Sequence, residues 1–230
     1  MSAVVICSTE GKCLPVLCAS ITFYLPTYWT VYLAGSKIML PKHRTINLEN
    51  RGRNFGDSYN AAVHVAMQEH EDLLILNDDV VLNPTFHEKL VQDLQLIPEE
   101  KRGWVAARAD FARGMQNVRW RHESDPVFAN SFPSEEAIIE VDIIAPYAGY
   151  IHRDAWMDFP PLNNYSDDVQ CLDMREKGLR NYISRAYVHH VGGASTGRDW
   201  RQLRNEAIPW ITENRPDYAT AWFPEIQKAS

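Results

Sequence analysis

An α/β fold with a mostly parallel central sheet flanked by helices is what this sequence predicts, and three observations carry the prediction. Short apolar runs at Ala3–Cys7 and Leu73–Leu76 suit strands that are covered on both faces. Stretches with helical character alternate with them, at 16–25 and 57–68. The second apolar run stops at Asn77-Asp78-Asp79, so carboxylates stand beyond the carboxyl end of a buried strand, where open α/β sheets take their ligands.

Taken in order, Ala3–Cys7 is followed by a buried helix over Val16–Leu25 and a strand over Thr30–Ala34, which Gly35-Ser36 ends. After Gly52 and Gly56 a helix runs from Asp57 to Gln68, with Ala61, Ala62, Val65 and Ala66 on one side and Asp57 as its cap. Beyond Leu73–Leu76 come a helix over Phe86–Leu96 and strands over Gly103–Ala107 and Ile138–Ile144. Between those strands, 113–136 carries Arg113, Arg119, Arg121 and His122 and then Pro126 and Pro133, which suits an irregular pocket wall. Ser166–Lys177 reads as a helix that Ser166 caps and Gly178 stops. A strand over Ala186–His190 follows, and from Trp200 a helix and tail lie over the core. No repeat or linker divides residues 1–230, so a single domain is expected.

Composition narrows the function. The 230 residues are 45% hydrophobic and 23% charged, which excludes a disordered chain. Thirty Asp+Glu against 23 Lys+Arg give a net charge of −7, which disfavours nucleic acid as a partner. Cys7, Cys13, Cys18 and Cys171 form no CxxC pair and sit in apolar surroundings, as thiols do in a reducing compartment. With no basic-then-apolar leader at the N-terminus, a cytoplasmic location is expected. The 24 residues from Cys13 to Ser36 lack any charge and are long enough to span a bilayer. Pro15 and Pro26 interrupt them, Ser20, Thr22, Thr27 and Thr30 add polarity, and they divide naturally into a helix and a strand, so no transmembrane segment is expected.

Three motifs bear chemistry, and the residues alone leave each with two readings. Asn77-Asp78-Asp79 is either a strand-to-loop turn or a pair of carboxylates whose repulsion a hard divalent cation relieves. Asp167 and Asp168, after Tyr165-Ser166, either complement a helix dipole or offer a general base. His189-His190-Val191-Gly192-Gly193-Ala194-Ser195 is either a strand end with a glycine turn or a metal ligand beside a loop that closes over phosphates. Adjacent strand residues face opposite ways, so one histidine is expected to point into the site.

An acidic pair at a strand end, an acidic pair at a helix start, and His-x-Gly-Gly-x-Ser, in that order, resemble the inverting GT-A glycosyltransferases, especially those of family 2. The opening Val4-Val-Ile-Cys-Ser-Thr9 strand and loop fit the resemblance, as does Asn50-Arg-Gly-Arg-Asn-Phe-Gly56 followed by Tyr59-Asn60. It covers the chain from Val4 to about Trp210. It implies a nucleotide-binding half over 1–100, an acceptor and catalytic half over 101–200, and a C-terminal helix and tail over 201–230. Asp79 would bind Mn2+ or Mg2+ together with His190, or with His189 in its place. Asp78 or Asn77 would hold the ribose, Asp168 would be the catalytic base, with Asp167 as the alternative, and Gly149 would let the donor sugar approach the backbone. The family's acid at the end of the second strand is absent here, where Gly35-Ser36-Lys37 stands, so nucleoside recognition is expected to rest on Thr9, Glu10, Arg53 and Asn60.

The implied reaction moves one sugar from a UDP-sugar to the hydroxyl of a saccharide or other acceptor, with inversion. The chain is short for the family, with little room for an acceptor domain and none for a translocating membrane channel, which disfavours a polysaccharide synthase. Three alternatives remain at this point: a metal-dependent nucleotidyltransferase, a non-catalytic nucleotide- or sugar-binding module, and a phosphate-cleaving hydrolase.

Overall fold

The computed structural model describes residues 2–8, 11–50, 52–112, 114–121, 128–130, 137–191 and 200–224; for 119–121, 128–130 and 200 it describes the main chain only. Eleven strands lie among these residues: β1 (Ser2–Cys7), β2 (Thr30–Ala34), β3 (Thr45–Leu48), β4 (Asp72–Asn77), β5 (Val80–Leu82), β6 (Arg102–Ala109), β7 (Arg119–Arg121), β8 (Phe128–Asn130), β9 (Ile139–Val141), β10 (Ala148–His152) and β11 (Arg180–His190). The helices are α1 (Leu14–Tyr24), α2 (Phe55–Ala66), α3 (Phe86–Leu96), α4 (Ser166–Glu176), α5 (Trp200–Asn214) and α6 (Pro216–Trp222). Nine strands make one sheet in the order β3-β2-β1-β4-β10-β6-β11-β5, with β9 also paired to β11, and β7 and β8 make a separate ribbon.

β1 to β4, β6 and β11 share one direction, while β10, β5 and β9 run against it. The chain leaves β1 toward β2 and β3, then returns to lay β4 on the other side of β1. That reversal opens a crevice at the carboxyl ends of β1 and β4, the place where α/β sheets bind ligands.

The strands alternate between two covered faces, which is why they read as continuous apolar runs. Val4, Ile6, Val31, Leu33, Leu74, Leu76, Val105 and Ala107 pack against α1 and α3. Ala3, Val5, Tyr32, Leu73, Ile75, Trp104 and Ala106 pack against α2 and α4. A third cluster, with Leu162, Val169, Ala207, Ile211, Tyr218 and Phe223, lays α5 and α6 over α4. The four cysteines are free thiols, and no helix among the described residues is long and apolar enough to cross a membrane.

Several expectations change in detail. Helix α2 begins at Phe55 with Asn54 as its cap; the Asn54 side-chain oxygen Oδ1 accepts from the Asp57 main-chain amide at 2.8 Å, and the Asn54 side-chain Nδ2 donates to the Asp57 carboxylate at 2.8 Å. Asp57 is thus the third helical residue, which Asn54 caps, rather than the cap itself. Tyr165, not Ser166, stands at the cap of α4, with φ +66°, and Ser166 is buried inside the first turn. The strand expected over 138–144 shrinks to three residues, while β11 extends back to Arg180.

β11 carries a register shift between Ile183 and Tyr187, and a buried acid holds it. Asp93 of α3 is fully buried and accepts from the Ser184 hydroxyl at 2.7 Å, from the Arg185 amide at 2.6 Å and from Arg185 Nε at 2.6 Å. Removing one partner of such a group strands the other, so Asp93→Ala is expected to lower stability by about 3–5 kcal/mol in denaturant titration. A loss under about 1 kcal/mol, typical of an exposed pair, would contradict this account.

Candidate functional site

The carboxyl ends of β1, β4, β6 and β11 converge on one edge of the sheet, because these strands run in the same direction. The helix α4 ends where β11 begins, so its first turn, with Asp167 and Asp168, stands at that same edge. The N-terminal turn of α2, with the exposed Arg53 just before it, is there for the same reason.

The switch point between β1 and β4 is closed by one hydrogen bond. Ser8, the buried residue after β1, donates to Asp78 at 2.6 Å and accepts from the Gly11 amide at 3.1 Å. Next to it, Tyr59 of α2 donates to the Leu76 carbonyl at 3.0 Å and lies 3.2 Å from Oδ1 of the Asn77 side chain. Burial, and then the charge of Asp78, pushes the Cys7 thiol well up, so it stays protonated and is no nucleophile.

On the other side of β4, Asp79 is buried and its Oδ1 lies 3.2 Å from His190 Nε2. The His190 ring is fixed on every side. It stacks on Tyr147 with centroids 4.6 Å apart, meets Phe111 edge-on at 6.1 Å, and places Nδ1 2.5 Å from the Phe111 carbonyl. That carbonyl is an acceptor only, so Nδ1 carries the proton and Nε2 is the atom turned to Asp79. Tyr147 is itself anchored: its hydroxyl donates to the Ala107 carbonyl at 2.9 Å, and its carbonyl accepts from the Asn77 amide at 2.8 Å. Burial and the nearby Asp110 push the Tyr147 hydroxyl well above its ordinary range, so it stays a donor.

The His189 side chain is 51% exposed and that of His190 12%, as opposite faces of a strand require. A residue not singled out from the sequence links the two. Asp110, buried at the end of β6, accepts from the His190 amide at 2.9 Å through Oδ1 and pairs with His189 Nδ1 through Oδ2. The signal was available: like Asn77-Asp78-Asp79, Asp110 is a carboxylate at the end of an apolar strand.

Other candidate residues serve the fold. Gly149 lies within β10, paired with Ile75 and Ala106, and a Cβ there would meet the Trp104 ring at 2.9 Å. The absence of a side chain at Gly149 thus makes room for the Trp104 ring. Both ends of the Asn60 amide bond the Phe159 main chain at 2.9 Å, which fixes the loop before α4. Thr9, Glu10 and the Gly192–Ser195 loop, together with Arg113 and His122, lie outside the described residues.

Asp168 is buried in the first turn of α4. The backbone ahead of it is strained, since Tyr165 takes a left-handed conformation that side chains disfavour. The C-terminal helix α6 holds it there: the Tyr165 ring stacks on Trp222 at 5.6 Å and meets Phe223 edge-on at 5.5 Å.

Among the described residues no group of three or more His, Cys, Asp or Glu is placed as a closed metal cage. Asp79 and His190 instead offer one oxygen and one nitrogen that face each other. Their 3.2 Å separation is close to the roughly 3.0 Å between neighbouring ligands in an octahedral sphere of about 2.1 Å radius.

No protein-family model matches the sequence, and no curated protein matches it. Solved structures do match. TarS 1-349 of S. aureus in complex with UDP-GlcNAc is 15% identical with a TM-score of 0.57, over 92% of this chain and 65% of that one. The same protein with UDP matches at 15% identity and a TM-score of 0.53, over 82% and 59%. GalNAc-T7 with UDP, GalNAc and Mn2+ matches at 12% identity and a TM-score of 0.59, over 83% and 43%. The chain thus spans between 43% and 65% of the length of these three.

Proposed function

We propose that this chain, which has the GT-A fold, moves one sugar from a nucleoside-diphosphate sugar, a UDP-sugar first among them, to an acceptor hydroxyl with inversion. The observation that carries the proposal is the pairing of Asp79 Oδ1 with His190 Nε2 at 3.2 Å, at the sheet edge where β1 and β4 diverge. The solved neighbours that hold UDP-GlcNAc, or UDP, GalNAc and Mn2+, support the choice of donor and of cation.

The donor set fits a hard divalent cation, Mn2+ or Mg2+. Such ions bind through one or two protein groups and leave positions for phosphate oxygens and water. Asp79 and His190 would hold the cation, which when bound would supply positive charge to a departing diphosphate. The chain's own residues do the rest. Ser8 and Asp78 close the crevice floor, and Asn77 and Asp78 stand within reach of a ribose in that crevice. Asp168 takes the proton of the acceptor hydroxyl as its oxygen bonds the anomeric carbon from the face opposite the leaving group. The glycosidic C–O bond breaks, its electron pair leaves with UDP, the proton ends on the Asp168 carboxylate, and the single displacement inverts the anomeric centre. Asp110 is a positioning residue, since it holds His190 through the main chain.

The reaction is tested with a panel of UDP-sugars and hydroxyl acceptors, following UDP release and the anomeric configuration of the product. UDP released with an inverted product is expected. Pyrophosphate release would identify a nucleotidyltransferase, and binding without turnover would identify a binding module. Asp110→Ala is expected to weaken Mn2+ binding about 10- to 100-fold, as loss of an outer partner of a metal-binding histidine does. Unchanged affinity would remove Asp110 from the site.

A further inference from the structure

The uncharged Cys13–Ser36 stretch does not cross a membrane as a helix, yet its surface is unusual for this chain. Residues 11–48 contain Lys12, Lys37, Lys42 and Arg44 and neither Asp nor Glu. The other residues hold 19 of the 23 Lys+Arg and all 30 Asp+Glu, a net charge of −11. One segment is therefore basic in an otherwise acidic protein.

The same segment exposes large apolar side chains. Val16, Phe23, Tyr28 and Met39 are all more than half exposed, and Phe23 reaches 73%. Val16 and Phe23 are seven residues apart on α1, two turns along one face. The inner face, with Leu14, Leu17, Cys18 and Ile21, is buried in the core, so α1 is apolar all round. The crossover that follows β2 lies against this helix: Lys42 Nζ sits 5.6 Å from the centre of the Phe23 ring, and His43 Nδ1 lies 3.2 Å from the Trp29 carbonyl. Phe23, Tyr24 and Lys42 thus meet on the α1 side of the molecule, and Ile38 and Leu40 pack the crossover that carries Lys37 and Met39 into the same core layer as α1. Arg44 is paired with Glu69 at 2.7 Å, outside the segment.

We infer that this side is a docking surface for an anionic phospholipid membrane. Aromatic side chains with a polar tip, flanked by lysines, are the composition of an interfacial face: the rings enter the headgroup boundary and the ammonium groups meet lipid phosphate and carboxylate. Charge complementarity singles out this occupant. A two-fold pairing of the same face between two copies would set like charges against each other. A single nucleic-acid strand would need a basic groove along its backbone, whereas here the aliphatic Val16 and Met39 accompany the rings.

Co-sedimentation of the full chain with phosphatidylcholine vesicles, with and without phosphatidylserine, tests the inference. Binding is expected only with phosphatidylserine and is expected to fall at high salt. Lys37→Glu with Lys42→Glu should lower the partition coefficient by at least about fivefold for each lysine removed. Phe23→Glu should abolish binding, and because Phe23 is exposed, its melting temperature should match the parent's. No binding to phosphatidylserine vesicles, or equal binding by the variants, would overturn the inference. So would retention on single-stranded DNA, or self-association that Phe23→Glu removes, in the absence of vesicle binding. Glycosyl transfer does not enter this readout, so its outcome is independent of the proposed reaction.

Discussion

Asp168→Asn is expected to lower sugar transfer about a thousandfold and leave UDP affinity unchanged. Asparagine has the shape of aspartate, and the side chain is buried in the first turn of α4, so the substitution leaves the helix in place. What it removes is the ability to take a proton at a position that the strained Tyr165 and its stacking on Trp222 hold at the sheet edge. Rates under saturating donor, together with UDP titration of the same variant, separate the two effects. Asp167→Asn serves as the comparison: Asp167 lies one position earlier and is less buried. If Asp168→Asn transfers at the parental rate and Asp167→Asn does not, the base is Asp167.

Asp79→Ala carries the second large effect. The carboxylate and His190 Nε2 face each other across 3.2 Å in a buried setting. With the His190 proton committed to the Phe111 carbonyl, two acceptor atoms meet unless a cation or a second proton lies between them. Mn2+ binding, followed through the paramagnetic resonance signal of the free ion, is expected to weaken by at least about a hundredfold, beyond what loss of an outer partner costs. The fold should survive, since it is the Asp79 main-chain carbonyl that accepts from the Val191 amide. Undiminished Mn2+ affinity in Asp79→Ala would move the cation elsewhere.

The parts of the molecule that were legible from sequence are those with strong local signals. β2 and α3 fall on the residues expected, and β1, β4 and α1 within a few, because two-sided burial leaves apolar runs and helical spacing that nothing else mimics. β10 was missed although it sits mid-sheet. Its five residues, Ala148–His152, include a glycine that reads as a loop, and only the Trp104 ring packed on it explains the choice. β3 is a short edge strand with partly exposed side chains, and β11 is longer than its last apolar residues suggest because Asp93 reaches across from α3 to hold its irregular middle. Long-range contacts of that kind leave no local trace.

The candidate site follows the same division. Asn77-Asp78-Asp79 and His189-His190 stand out as polar clusters at the ends of apolar strands. The Ser8 bond to Asp78 and the double role of Asp110 arise only when four strand ends meet. Asn60 and Gly149 also make long-range contacts with no local trace, Asn60 with the Phe159 main chain and Gly149 with the Trp104 ring.

Calorimetric titration of the protein with UDP, in the presence and absence of Mn2+, tests the central claim most directly. The account predicts one UDP site that requires Mn2+ and disappears in Asp79→Ala. UDP binding indifferent to Mn2+, or no binding of UDP in either condition, would contradict it.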